Sequence, residues 1–414
     1  FTERTDYKWF IVQFPLLWIG FEVFFQSNLL LGSNYWIGYR LASVPAFIQP
    51  VSVVSTPALG FVILLINSMI ALLILRWMDA RWPGLAVVRI PTATIKWSAI
   101  VTVNVVVVWI ASSLAIYAKV TSQMGPVVKV AAAQSGIDNT TSKGDLGGGG
   151  PQGTPEDNAR NAKLKVQMTE MTMTAASQGA QLVVWPEEQL NYDVRIPAKG
   201  GWIGELAKAA NTTIVAGFMP NSPDLTSPNM AGVWYPNGLM DPEVYSKQHQ
   251  VVAEGEDFVS GETNPIYPTS FGQLGVLICF DHDFPDGSAR VSTAAGANIL
   301  AVPAIDPASI SHLRWQSLVF RAVENRVPII KTDVGFDSAI VDANGVVKAR
   351  SAVSDDAGAT VLLVEDVHIG PRGAPFTDTG GYSFAWLVTF GLFGRYIRQI
   401  YLWRRGKKPP AVQL

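Results

Sequence analysis

The sequence predicts an α/β domain of alternating strands and helices, held between membrane-spanning helices. Three observations carry that expectation. Charged residues make up 15% of the 414 residues and hydrophobic ones 49%, against roughly 25% charged residues in ordinary soluble proteins, and the mean hydropathy is +0.23. Long apolar runs gather toward the two ends of the chain. Between them, from Val127 onward, short apolar runs of strand length alternate with helical segments, the pattern of a sheet covered on its outer face.

The first run, residues 9–31, is long enough to cross a bilayer, which takes about 20 residues. It carries one carboxylate, Glu22. A charge at that depth is costly, so it is expected to face protein or water, as a helix–helix hydrogen bond or as a polar contact near a substrate cavity. Residues 33–50 form a loop rich in aromatics (Tyr35, Trp36, Tyr39), the composition of a membrane interface. The second run, 51–75, is interrupted by Pro57 and Gly60, breaks that membrane helices tolerate when neighbours satisfy the freed backbone. A basic loop with Arg76, Arg81, Arg89 and Lys96 leads to a third span, 97–118, rich in valine, isoleucine and alanine. Near the C-terminus, 380–403 reads as a fourth span whose rival is a helix lying in the membrane surface. A basic tail, 404–414, follows it.

The middle of the chain, 126–368, is expected to be the catalytic domain. Strands are expected at 127–133, 182–185, 213–218, 231–235, 244–246, 274–279, 298–302, 328–332, 338–341 and 360–364. Helices are expected at 159–178, 202–210, 287–295 and 312–325. Residues 135–158, with four consecutive glycines at 147–150, read as a mobile loop, or as a lid over the site. No internal repeat is visible beyond the alternation.

Charge sets further bounds. A net charge of −2 argues against a nucleic-acid surface, and a single cysteine excludes an internal disulfide and any cysteine-built zinc site. Placing both basic segments in the cytoplasm satisfies the positive-inside rule with four spans and puts 119–379 on the outer face of the cell membrane. The chain opens on Phe1, so signal-peptide reasoning does not apply; a further N-terminal piece and a shorter subfamily both fit the small number of spans.

Chemistry enters with that cysteine. The apolar run 274–278 delivers Cys279, then turns through Phe280, Asp281, His282 and Asp283 toward Pro285. A strand that ends on a thiol and turns toward a helix holds sulfur near free backbone N–H groups, although most free cysteines are simply small buried hydrophobes. Two other stretches shift that balance. In Val183-Val184-Trp185-Pro186-Glu187-Glu188 a strand ends on a carboxylate. In Tyr245-Ser246-Lys247-Gln248-His249, followed by Glu254-Gly255-Glu256, a short strand ends on an ammonium. Each alone is most often a solvated face; the order Glu, Lys, Cys is far more specific. No pair of histidines has metal-ligand spacing, and His249 and His282 read as structural.

These three stretches resemble the nitrilase, or carbon–nitrogen hydrolase, superfamily. Its glutamate follows a strand, its lysine lies in a K-x-H context and its cysteine sits in a G-x-x-I-C-[YF]-[DE] turn. The resemblance runs from about Val127 to Val367 and takes in 321–328 and 337–345. It implies an α-β-β-α sandwich with Glu187, Lys247 and Cys279 as catalytic residues, and Glu256, Phe280 and Asp281 in support; spacing leaves Glu254 open as the supporting glutamate. The membrane runs make the chain look like the branch of the apolipoprotein N-acyltransferases. That branch implies a phospholipid acyl donor, a lipoprotein acceptor, an acyl-thioester on cysteine, and no cofactor or metal, since an ester is exchanged for an amide. Asp281 stands where that branch usually has glutamate and many soluble amidases have aspartate, and Phe280 replaces a tyrosine.

The implied roles fit general chemistry. A free cysteine, with a pKa of about 8.5, is only about 3% thiolate at pH 7; restoring full thiolate character is worth roughly 2 kcal/mol, within reach of a nearby base and a positive charge. Glu187 would take the thiol proton, and Lys247 with the Phe280 N–H would hold the oxyanion. Two rival readings stay open: a membrane-tethered amidase with water as acceptor, and a non-catalytic membrane binding module in which the three side chains lie apart. A monomer is expected, because flanking spans restrict packing. The faces around Trp202, Trp234 and Trp315 are candidates for lipid entry, with core packing as the alternative.

Overall fold

The computed structural model describes residues 6–26, 32–82, 89–136, 154–220, 227–251, 258–353, 358–379 and 383–405, with side chains from 394 onward in the last stretch. Residues 27–31 of the first apolar run, most of the 135–158 loop with its glycine run, Glu254, Glu256 and the tail beyond Arg405 lie outside it.

The N-terminal part is helical. Helix α1 (Phe10–Gln26) leads through two short 3-10 turns (Ile37–Leu41 and Pro45–Phe47) to α2 (Val51–Val54), α3 (Thr56–Arg81) and α4 (Thr92–Ser122). By length and composition α3 and α4 could each cross a membrane, whereas α1 is apolar but shorter, at 17 residues. The break expected at Pro57 falls instead at Ser55, whose φ of 69° ends α2. Pro57 sits in the first turn of α3, where a missing N–H costs nothing. Gly60 lets α1 approach: a Cβ there would stand 2.8 Å from Ile19 Cδ1. Glu22 on α1 is a structural anchor, accepting from Trp18 Nε1 (2.9 Å) and from the Ile37 backbone N–H (2.8 Å).

The remainder is a two-sheet sandwich. In chain order it comprises β1 (Val127–Gln134), α5 (Pro155–Ser177), β2 (Leu182–Val184), α6 (Pro197–Ala210), β3 (Thr213–Phe218), β4 (Met230–Trp234) and β5 (Tyr245–Ser246). There follow β6 (Ile266–Pro268), β7 (Gln273–Val276), α7 (Ser288–Ala295), β8 (Ile299–Ala304), α8 (Ala308–Asn325), β9 (Ile329–Asp333), β10 (Ala339–Val341), β11 (Val347–Arg350), β12 (Val361–His368), α9 (Pro375–Asp378) and α10 (Ser383–Arg404). Helix α10 runs beside α1.

One sheet has the order β12-β1-β2-β3-β4-β5 and the other β11-β10-β9-β8-β7-β6. In each, three central strands are parallel and the outer ones antiparallel. The two sheets therefore share one wiring, with β1-β2-β3 matched by β7-β8-β9, a duplication that composition does not reveal. Their inner faces meet through Val130, Val184 and Val215 on one side and Val276, Ile299 and Ile330 on the other. Helices α5 and α6 cover the first sheet through Leu164, Met168 and Ile203, completing an α-β-β-α sandwich.

Helix α8 covers the second sheet, and the N-terminal loop packs on α8 in turn. This corrects one expectation. Trp36 and Tyr39 do not face a membrane interface; they are buried in a cluster with Leu318, Phe320 and Leu59, and the Tyr39 ring lies 4.9 Å from that of Phe320. Only Tyr35 among the loop's aromatics is exposed. Polar contacts fix the same interface: Glu324 accepts from Thr56 Oγ1 at 2.6 Å and pairs with Arg321 at 3.0 Å, and Arg326 donates to Ser52 Oγ at 2.7 Å. Burial pushes the Glu324 carboxyl up to about 7.

Candidate active site

The carboxyl ends of the central parallel strands in both sheets converge on one place, where α/β folds usually build sites. Strand β7 stops at Val276, shorter than the expected 274–279. Ile278 is still extended, and Cys279 then opens a five-residue 3-10 turn, Cys279–Asp283. Its φ is +42°, a conformation that costs a non-glycine residue about 1–3 kcal/mol and persists only where neighbours impose it. Asp281 imposes it. Its Oδ2 accepts from the Ile278 N–H (3.1 Å) and from Tyr245 OH (2.7 Å). Its Oδ1 accepts from the N–H groups of Gln248 (3.1 Å) and His249 (2.9 Å) and from His249 Nδ1 (2.8 Å). One buried carboxylate thus ties the cysteine turn to the segment carrying Lys247.

Glu187 follows β2 through the rigid Trp-Pro step. Strand β3 passes beneath it at Gly217, where a Cβ would meet Pro186 O at 2.5 Å and Glu187 Cα at 2.6 Å. Only glycine allows that approach. Lys247, fully buried just after β5, donates from Nζ to Glu187 Oε1 at 2.9 Å. Asn229 Nδ2 donates to the same oxygen at 2.7 Å and to Glu188 Oε1 at 3.0 Å.

Residue 305 joins this pair to the thiol. The Ile305 N–H donates to Glu187 Oε2 at 2.8 Å, and the Ile305 carbonyl accepts from Cys279 Sγ at 3.3 Å. Glu187, Lys247 and Cys279 therefore lie around one peptide segment, all of them buried. Burial, reinforced by Glu187, pushes the Cys279 thiol well up, and Lys247 and Arg314 offset only part of that. The expectation of a readily restored thiolate is corrected here: the resting sulfur is a neutral thiol.

The other singled-out residues fall into place around these. Phe280 is buried edge-to-face against Phe284, its ring 5.7 Å beneath the Arg314 guanidinium. His249 stacks on Phe284, and His282 donates from Nδ1 to the Cys279 carbonyl; burial pushes its imidazole down to about 4. Among the described residues no cluster of metal-ligating side chains occurs. Of the three tryptophans, Trp234 is core, Trp202 stacks on Trp185, and Trp315 lies beneath Arg350.

Sequence reasoning missed Asn229, residue 305 and a buried ion cluster behind the sulfur. In that cluster Asp306 pairs with Lys331 and with Arg314 Nε (3.0 Å), and Arg314 also pairs with Asp283. Burial alone would raise the Asp306 carboxyl, but Lys331 and Arg314 hold it well below the usual range. One signal was present: Lys331 interrupts the apolar strand Ile329-Ile330, and a lysine at a core position demands a partner.

Known proteins resemble this chain in sequence and in fold to different extents. The Carbon-nitrogen hydrolase family profile matches residues 129–364, more than half of the chain. An apolipoprotein N-acyltransferase of Geobacter metallireducens is 25% identical over 408 residues, covering 92% of this chain and 72% of that protein. A nitrilase of Pyrococcus abyssi is 31% identical over 174 residues, 38% of this chain and 64% of that one. Among solved structures, an amidase from Nesterenkonia sp. aligns with a TM-score of 0.46 at 19% identity, covering 59% of this chain and 91% of its own. With its two-sheet sandwich and this profile, the chain belongs to the carbon-nitrogen hydrolase family, within the nitrilase superfamily.

Proposed function

We propose that the protein is a membrane-bound N-acyltransferase that moves a fatty acyl chain from a phospholipid to the N-terminal amine of a lipoprotein through a thioester on Cys279. The observation that carries this reading is the buried meeting of the Glu187–Lys247 pair and the Cys279 thiol at residue 305, next to a helical part with two helices apolar enough to span a bilayer. Similarity to the Geobacter acyltransferase over nearly the whole chain, helices included, supports lipid over water-soluble substrates.

In this reading Cys279 attacks the ester carbonyl as Glu187 takes its proton. Lys247 and the Phe280 N–H hold the negative charge on the carbonyl oxygen. Collapse forms the thioester, and the departing alcohol of the lysophospholipid takes the proton from Glu187. The incoming amine then attacks the thioester and loses a proton to Glu187, and the thiol re-forms as the amide leaves. Proton transfer through Glu187 at the moment of attack suits a thiol that burial keeps neutral. The catalytic domain, residues 126–368, would stand on the outer face of the cell membrane, with spans within 1–120 and at 380–403.

The amidase reading, with water in place of the amine, draws on Asp281 and on the nitrilase and amidase relatives that match parts of the domain. One experiment separates the two. Detergent-solubilised protein is incubated with phosphatidylethanolamine labelled in its acyl chains. The proposal expects label on Cys279 that neutral hydroxylamine releases, that Cys279→Ala abolishes, and that a diacylglyceryl-cysteine peptide removes as amide. Hydrolysis of a short amide without any lipid-derived label would replace it with the amidase reading.

A further inference from the structure

We propose that Asp306 is a positioning residue: held between Lys331 and Arg314, it seats residue 305 and the Cys279 thiol, and Asn34 ties this seat to the loop that follows α1. The inference rests on the reading of Cys279 as nucleophile and Glu187 as its base.

Residue 305 is the shared contact: its N–H holds Glu187 and its carbonyl receives the thiol. What holds residue 305 is its neighbour. The Asp306 N–H donates to Asp333 Oδ2 at 2.9 Å, and its side chain lies between Arg314 and Lys331. Lys331 in turn donates to the Asp337 carbonyl at 2.9 Å, so the seat is pinned to β9 and the turn beyond it. Asp306 Oδ1 also stands 3.7 Å from Cys279 Sγ. In the shared wiring of the two sheets, β8 corresponds to β2. Glu187 and Asp306 thus follow matching strands, each paired with a buried lysine. The first pair faces the chemistry, and the second carries the peptide that aligns it.

Arg314 extends the seat outward. It donates from Nη1 to Asn34 Oδ1 at 2.9 Å and pairs with Asp283 at the end of the cysteine turn. The same loop grips that turn directly: the Ser33 N–H donates to the Asp283 carbonyl at 2.9 Å, and its hydroxyl to the same oxygen at 2.6 Å. Gly32 lies against Asp283, with a φ of +52°. A displacement of this loop would therefore reach both ends of the nucleophile turn. The charged and titratable groups facing the thiol are Glu187 and Lys247 from the first sheet, Asp306 after β8 and Arg314 on α8, with His282, neutral, in its own turn.

The test reads two independent properties in the full chain. Iodoacetamide alkylation of Cys279 against pH reports the thiol whatever the substrate, and acyl-thioester formation from phosphatidylethanolamine reports the reaction. In Asp306→Asn the carboxylate beside the sulfur is gone while Arg314 and Lys331 stay cationic, so the alkylation midpoint should fall by about one pH unit. Thioester formation should nonetheless slow by about 10–100-fold, because alignment is lost. Asn34→Ala should slow acylation by about 3–10-fold through kcat, with KM, melting temperature and alkylation midpoint unchanged. Arg314→Lys, which keeps the charge without the fork, should hold the wild-type midpoint and share the slower acylation. A wild-type midpoint in folded Asp306→Asn, or acylation that falls only in proportion to folded protein, overturns the seat. A wild-type rate in Asn34→Ala overturns its link to the loop. If the wild-type protein never takes up acyl label while the Asp306→Asn midpoint moves as stated, the acyltransferase reading fails and this one stands.

Discussion

Replacing Asp281 by asparagine keeps the shape of the side chain and removes half of its acceptors. Asp281 receives five hydrogen bonds, two on Oδ2 and three on Oδ1. An amide can keep its oxygen toward the three donors from 248 and 249, but its NH2 then faces the Ile278 N–H and Tyr245 OH. The tyrosine hydroxyl can turn, since it also has Ser288 Oγ at 2.7 Å; the Ile278 N–H cannot. One buried donor left unpaired costs about 1–3 kcal/mol, and losing the charge weakens each remaining bond, for a total of about 3–5 kcal/mol. In a domain of this size about 2–4 °C accompanies each kcal/mol, so the variant should melt about 6–20 °C lower. The loss falls on the residue that holds Cys279 at its positive φ, so alkylation of the thiol should also become faster at fixed pH as the turn opens. Thermal unfolding in detergent, followed by tryptophan emission, gives the first quantity, and mass spectrometry of alkylated Cys279 the second. A melting shift under about 2 °C with unchanged alkylation would refute the claim that this carboxylate sets the turn.

Three further expectations come from the same geometry. Gly217→Ala forces β3 or the Pro186–Glu187 turn to move, because the added methyl would meet backbone at 2.5 Å; acylation should drop at least about 10-fold while the protein still folds, and a wild-type rate would show that Glu187 is not held there. Glu187→Gln leaves the buried Lys247 ammonium without its carboxylate, which should cost about 3–5 kcal/mol of stability and slow thioester formation by about 100–10,000-fold; equal stability and rate would contradict both roles. For the thiol the sign runs upward: burial raises the acid's pKa, so the thiolate is scarcer than in free cysteine at every pH below about 8.5. Alkylation should keep rising beyond pH 9, and stability should decline as pH climbs through that range, since the unfolded chain loses this proton first; an alkylation midpoint below about 8 would contradict the burial argument.

Much of the domain was legible because its strands are continuous apolar runs bounded by turn residues, which a two-sided buried sheet requires. The candidate site was legible where strand ends carry unusual residues: Trp185-Pro186-Glu187, Lys247 and Cys279 each follow a short strand. Strand β6 was missed because Ile266–Pro268 is three residues long and ends on proline. Asn229 and Asp306 look like ordinary loop residues, and only tertiary packing turns them toward Glu187 and Cys279. The aromatics at 36 and 39 were misplaced for a physical reason. A loop meant to bury its rings against a covering helix has the same composition as one meant to lie among headgroups; the choice is made by Phe320 and Arg321 on α8, far along the chain.

The central claim is that Cys279 carries an acyl group drawn from lipid. It is tested most directly by the intact mass of the Cys279 peptide after the solubilised protein meets phosphatidylethanolamine of one defined acyl chain. The account predicts a mass increase equal to that acyl group, lost on treatment with neutral hydroxylamine and formed far more slowly in Glu187→Gln. An unmodified peptide from active, folded protein, or a modification that hydroxylamine leaves in place, would contradict it.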